Sequence, residues 1–339
     1  MAKTGSEDRR ASRKKVLTRG LAAGALAFGV PALANAWIAR RASQLQRGPE
    51  PASWRRSSSE VDGVRVSLLR LDGDKSSVPP ALFLHSLGPG HSALQWTAVA
   101  QAIAEQRSVV LLDLPGWGES DRADLDYGWR NAAEAVLAVI ETEIASPCHL
   151  VAGGESAAVA LSLPEIGGAS LLCSLALSGP SGLRFEDIVP SARDRLFDTL
   201  LGAPILGTSA VNAYTRREAI ARSLSNHRSE ALESDDLDEH YRLAHLPGSE
   251  RSLRAFLRGR YERFLAEIDL SEDLPVWIGW GRNAIGDPIE DADLWLYRVP
   301  QAQLTVFERS ASWPHVDQPG HAARELRAFF DSVDKHLTG

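Results

Sequence analysis

Short runs of consecutive apolar residues, spaced by stretches of helical periodicity, constrain the fold of this 339-residue chain more than any other feature. The runs are Ala81–Leu84, 108–112, 149–152, 171–177, 275–278 and 304–307. Val64–Leu71 adds an alternating strand pattern, and residues 93–104 and 129–144 carry helical periodicity. Continuously apolar strands must be buried on both faces. Strands alternating with helices imply a mostly parallel sheet covered on both sides, an α/β fold. A last amphipathic helix follows Pro319, with Leu326, Phe329, Phe330, Val333 and Leu337 on its apolar face.

Residues 185–270 interrupt the alternation. They hold many charges and few strand signals. Leu253, Phe256, Leu257, Tyr261, Phe264 and Leu265 share one helical face, with Arg251, Arg254, Arg258 and Arg263 read as its solvated side. Residues 230–239 are acidic and read as solvent-facing. The expected organisation is a core over 61–184, an inserted helical lid over 185–270 and a second core segment over 271–339.

The net charge of −7, with no basic stripe after residue 60, argues against nucleic acid as a partner. Cys148 and Cys173 both adjoin apolar runs and read as two buried thiols. No Cys/His spacing suits zinc and no glycine-rich loop suits a phosphate, so neither a metal nor a cofactor is expected.

The N-terminus has its own texture. Lys3, Arg9, Arg10, Arg13, Lys14, Lys15 and Arg19 make 1–19 a basic tail, and 20–39 carries no charge. About 20 uncharged residues can span a bilayer. The expectation is an uncleaved membrane anchor, with the main domain extracytoplasmic because the basic excess precedes the segment. The alternative is a secreted protein cleaved after Ala34-Asn35-Ala36. Residues 40–60 read as a polar linker.

Residues 149–161 run from an apolar strand through small residues into a small-residue helix, the layout of a G-x-S-x-G elbow. Asp113-Leu114-Pro115-Gly116-Trp117-Gly118-Glu119-Ser120-Asp121 follows the fourth strand, and His85-Ser86-Leu87-Gly88-Pro89-Gly90 follows the third. Trp280-Gly281 and Trp313-Pro314-His315-Val316-Asp317-Gln318-Pro319 come later in the chain. Over residues 60–338 these motifs, in this order, resemble the α/β-hydrolase superfamily: its D-x-P-G-x-G-x-S-D run, its His-Gly oxyanion loop and its W-G-x-x-D and G-H-x-P-H-x-E-x-P landmarks. The resemblance implies a lidded α/β-hydrolase fold and a serine, histidine and carboxylate triad beside an oxyanion hole.

The triad positions hold the wrong residues. Two elbow registers are open. One makes Ser156 the nucleophile. The other, without a gap, puts Gly154 there. Gapless alignment of the last landmark places Ser312 at the histidine position and His315 at the second, non-catalytic one. The acid position falls on Ala284, with Asp287 displaced by three residues. Leu87 and the residue after the nucleophile, Glu155 or Ala157, would supply the oxyanion-hole N–H groups. The expectation is therefore a membrane-tethered protein of this fold that lacks triad catalysis and binds a small apolar ligand or a membrane-protein partner. The alternative is a serine esterase using Ser156, His315 and Asp287 on a small apolar ester.

Overall fold

A computed structural model describes residues 30–337, apart from 49, 51, 74–76, 185–190, 230–232 and the side chains of 193 and 194. The basic tail, residues 20–29 and part of the acidic 230–239 stretch lie outside the described residues.

Eight strands form one sheet: β1 (Arg55–Val61), β2 (Val64–Leu71), β3 (Ala81–Leu84), β4 (Val109–Asp113), β5 (Cys148–Gly153), β6 (Leu172–Ser178), β7 (Val276–Gly281) and β8 (Gln303–Phe307). Their order is β1-β2-β4-β3-β5-β6-β7-β8. The β1–β2 hairpin and the β2–β4 pair are antiparallel, and every later pair is parallel. β3 and β5 are fully buried and lie at the centre, so a turn leaving the end of β5 opens at the middle of the molecule.

Side-chain alternation divides the core. Leu82, Leu84, Leu150 and Ala152 face one layer, which includes α3 (Trp129–Val139) and α4 (Ser156–Leu161). Phe83, Leu111 and Val151 face the other, with Val99 and Ile103 of α2 (Thr97–Ile103) and Phe329 and Phe330 of α12 (Pro319–Leu337). Cys148 and Cys173 are buried free thiols.

Five helices of the described residues stand between β6 and β7: α5 (Ala192–Gly202), α6 (Pro204–Tyr214), α7 (Arg217–His227), α8 (Ser234–Ala244) and α9 (Ser249–Leu257). Short helices α10 (Ala292–Arg298) and α11 (Pro314–Asp317) flank β8. Polar contacts join this cap to the loop after β4. Trp117 Nε1 donates to the Tyr261 hydroxyl at 3.1 Å, and Ser252 Oγ donates to the Gly116 carbonyl at 2.8 Å. Arg242 and Arg47 both pair with Glu119. Burial of Glu119 works to raise its pKa, but hydrogen bonds from the two guanidiniums outweigh it and bring the carboxyl down to about 2.

Two readings of the sequence are corrected. The 40–60 stretch is not all linker, because Arg55–Val61 forms the edge strand β1. Only Ser59 and Val61 of it are buried, so an edge strand with one inward face showed no apolar signature. Arg263 is not on a solvated face. It is buried, pairs with Glu165 and lies 4.4 Å from the centre of the Trp129 ring. The second half of the uncharged N-terminal segment belongs to α1 (Val30–Ala42), which packs on α6. No helix among the described residues is long and apolar enough to cross a membrane.

The loop after β4 hangs on one carboxylate. Asp113 is buried and accepts the backbone N–H groups of Ala93 at 2.7 Å and Glu119 at 3.0 Å. Gly118 closes over it at φ +51°, where a Cβ would lie 2.1 Å from Asp113 Oδ1. Asp113→Ala leaves two buried donors unpaired and should cost about 3 kcal/mol. Urea unfolding measures it, and a loss below about 1 kcal/mol would mean that the loop is held elsewhere.

Candidate functional site

The turn after β5 follows the gapless register. β5 ends at Gly153, Gly154 takes φ +52°, and α4 begins at Ser156. The Gly154 N–H donates to the Ser178 carbonyl at 3.1 Å, and its own carbonyl accepts from Ala157 and Ser181. The crest of the elbow is thus Gly154, a residue without a side chain.

The room for one is occupied. A Cβ on Gly154 would lie 2.7 Å from the Ser86 Cβ and 3.6 Å from Trp313 Nε1. Ser86 stands where the resemblance expects the glycine of the His-Gly loop, so the two positions have exchanged small and larger residues. Ser86 Oγ is 3.0 Å from both His91 Nδ1 and Gln95 Oε1. Gln95 Oε1 also accepts the Ser86 N–H at 3.0 Å, which fixes it as the amide oxygen. An amide oxygen only accepts, so the Ser86 hydroxyl donates to it. His91 Nδ1 is then the donor toward Ser86, which leaves no base on that hydroxyl.

Ser156 is buried, and its hydroxyl donates to the His85 carbonyl, tying α4 to the end of β3. His315 is also fully buried. Its Nδ1 lies 3.0 Å from Ser178 Oγ, and its ring stacks on Trp96 at 3.9 Å with 16° between the planes. Burial without a charged partner drops its pKa to about 3, so the imidazole is neutral at pH 7. Asp287 is half-buried on the loop after β7, and its carbonyl accepts from Trp280 Nε1 at 3.1 Å. The structure does not join Ser156, His315 and Asp287: among the described residues no hydrogen bond links any two of them. Ala284 lies on the same loop as Asp287, where its N–H donates to the Gly281 carbonyl. Ser312 is buried on the loop before α11.

Asp287 and Ser312 instead border a cavity of about 330 Å³ above the elbow, with Glu155, His227, Glu262, Trp313 and the apolar Phe256, Leu257 and Tyr261. His227, at the end of α7, stacks on Trp313 at 4.8 Å, and its carbonyl accepts the Trp313 N–H at 3.3 Å. Sequence reading missed His227 and Ser86. The lid histidine carries no local signature, whereas a serine following His85 was visible as a departure from the loop's pattern.

Glu155 decides the electrostatics. Its Oε2 accepts the Leu87 N–H at 3.1 Å, and its own backbone N–H also favours the charged carboxylate. These are the two donors that the gapless register assigns to an oxyanion hole, and the Ala157 N–H is engaged by the Gly154 carbonyl at 3.1 Å. Burial, with Asp287 and Glu262 nearby, raises Glu155 to about 7 against the lowering effect of those two N–H groups. Burial, then the neighbouring Asp291, raises Asp287 to about 6.

Comparison with known proteins agrees with this architecture. The alpha/beta hydrolase family profile matches residues 81–326, and the chain belongs to that family. The 2-hydroxy-6-oxononadienedioate/2-hydroxy-6-oxononatrienedioate hydrolase of Burkholderia vietnamiensis is 30% identical over 258 residues, covering 70% of this chain and 83% of that protein. The uncharacterized protein Rv2715 of Mycobacterium tuberculosis is 26% identical over 284 residues, 76% of this chain and 77% of its own length. Among solved structures, a membrane phospholipase A, described as a bacterial virulence factor, superposes with a TM-score of 0.66. Its identity is 22%, with 96% of this chain and 99% of that one covered, a likeness of fold alone.

Two predictions follow from the crest and the hole. Gly154→Ala meets both a positive φ and the Ser86 Cβ, and should cost about 3 kcal/mol; in a Ser86→Gly background the cost should fall by about 1–2 kcal/mol. Additive costs in denaturant unfolding would show that the two positions do not share space. For Glu155, the native carboxyl holds a proton that the unfolded chain has already released between pH 4.5 and about 7. Stability contributed by this group is present below that window and lost as pH rises through it. Glu155→Gln should therefore match wild type near pH 4.5 and exceed it by up to about 3 kcal/mol at pH 8. Parallel urea titrations at the two pH values check it, and a constant difference would contradict the assigned direction.

Proposed function

We propose that this protein uses its α/β-hydrolase fold to bind a small apolar ligand in the elbow cavity and does not cleave it by a serine triad. One observation carries the reading: the Glu155 carboxylate accepts the Leu87 N–H, one of the two oxyanion-hole donors, beneath a crest residue that has no side chain. An ester carbonyl placed there would meet an acceptor on that donor. A cavity of about 330 Å³ with Phe256, Leu257, Tyr261 and Trp313 as its apolar wall, and Glu155, Glu262 and Asp287 also on its border, suits a small molecule with an apolar part.

A second reading, hydrolysis, is favoured by the hydrolase from Burkholderia vietnamiensis. In this chain it would call for a water activated by a cavity carboxylate, because Ser156 is engaged by the His85 carbonyl and His315 by Ser178. Glu155 and Asp287, both raised toward neutrality, are the groups available for that role.

One assay separates the readings. Binding of 4-nitrophenyl hexanoate should quench tryptophan fluorescence, an effect reduced in Trp313→Phe, without releasing 4-nitrophenolate above the buffer rate. A fluorophosphonate probe should leave Ser156 and Ser86 unlabelled. Turnover lost in Glu155→Gln or Asp287→Asn would establish the carboxylate route. Labelling at Ser156, abolished in Ser156→Ala, would restore the serine esterase.

A further inference from the structure

Two helices near the lid turn apolar faces to solvent. On α1, Val30, Leu33 and Trp37 recur at helical spacing and are 57%, 73% and 59% exposed. On α5, Leu196, Phe197 and Leu200 share a face and are 61%, 48% and 42% exposed, while Leu201 is fully buried. Both helices pack on α6, which adds the exposed Leu206. Scattered exposed leucines need no explanation, but two helices that each expose an apolar face and share one support do.

The join between α1 and the lid is polar and specific. Asn35 Nδ2 donates to Ser209 Oγ at 3.2 Å and to the Ile205 carbonyl at 3.4 Å, and Asn35 Oδ1 accepts from Asn212 Nδ2 at 2.8 Å. α1 is thereby tied to the lid rather than to the sheet. In sequence, residues 20–29 before it carry no charge, and the 19 residues before those hold seven Lys or Arg against Glu7 and Asp8. At the other end of α1, the Arg41 guanidinium lies 5.4 Å from the centre of the exposed Trp37 ring, with Arg40 beside it. An apolar face, an aromatic at its border and a basic excess are what a helix lying in the headgroup region of an acidic bilayer requires.

We propose that the lid is the membrane-facing surface of this protein: α1 and α5 lie together on a bilayer containing acidic lipid, with Leu33, Trp37, Phe197 and Leu200 entering the acyl boundary. A groove beneath α5 is lined by Phe197, Leu201, Leu257 and Glu262, and the last two also border the elbow cavity. The docked face thus adjoins that cavity. The proposal concerns α5 and α1 as a surface, and stands apart from what the cavity does to its ligand.

The test uses the full chain with an environment-sensitive fluorophore on a cysteine placed at Phe197 and, separately, at Asp72. The native cysteines are buried. Asp72 is exposed and follows Leu71, which pairs with Val109 at the opposite end of the parallel strands from the elbow. With phosphatidylcholine–phosphatidylglycerol vesicles, the 197 label should shift to the blue and be quenched by brominated acyl chains, while the 72 label does neither. Phosphatidylcholine alone should give a smaller effect. Phe197→Glu/Leu200→Glu, checked for unchanged circular dichroism, should weaken vesicle partition at least about tenfold. A 197 label that stays in water overturns the proposal, whether the chain fails to associate or associates through residues 1–29 alone.

Discussion

Only one side chain fits at the crest of the elbow, and in this chain it belongs to Ser86. The sharp turn brings the end of β5 against the loop after β3 so closely that a Cβ on Gly154 would lie 2.7 Å from the Ser86 Cβ. A nucleophile at 154 and a serine at 86 are therefore alternatives. Glycine at 154 takes its left-handed backbone without the strain that any other residue would bring. The loop serine then fills the vacated space and is held by Gln95 and His91. The turn persists because β5, α4 and Ser178 need it for packing and hydrogen bonds, not because a hydroxyl has to be displayed there.

Electrostatics follow from the same turn. Backbone N–H groups converging at the start of a helix favour an oxygen with negative charge. Here Glu155, one residue past the crest, supplies that oxygen from the protein itself. Loss of a triad residue costs on the order of 10⁶ in turnover, and an open oxyanion hole alone retains roughly 10³–10⁴ over water. A carboxylate on the Leu87 N–H competes with a substrate oxygen for that donor, and a pKa near 7 makes its neutral form accessible at ordinary pH.

Much of the scaffold was legible because burial writes it plainly. Continuous apolar runs marked β3 to β8, and the nine residues from Asp113 to Asp121 located a loop whose carboxylate and Gly118 are mutually required. The edge strand β1 escaped because one buried face on a polar strand leaves too little pattern. At the site, spacing located the loops that carry Ser312 and Ala284. The plug could not be read from spacing: Glu155 was expected only as the donor of an N–H, whereas its carboxylate turns back onto the Leu87 N–H that an anion would use. His227 was invisible because the lid brings it to the elbow from a helix with no fixed sequence distance to β5.

The loop before α12 ties the core to the lid. Where the family pattern places its histidine, this loop forms a strut between the two. Asp317 accepts the Ser229 N–H at 2.7 Å, the Ala311 N–H at 2.8 Å and the Ser310 hydroxyl at 3.0 Å. Trp313 donates its backbone N–H to the His227 carbonyl, and its ring stacks on the His227 imidazole. A general base must approach and retreat from its partner by fractions of an ångström during turnover, which a loop fixed on both sides resists. The same rigidity serves a binding site, because it holds Trp313 as a wall between lid and elbow and fixes the lid's height above the cavity. With α1 fastened to α6 by Asn35, the fixed lid also sets the orientation of the entire core relative to whatever α1 and α5 touch.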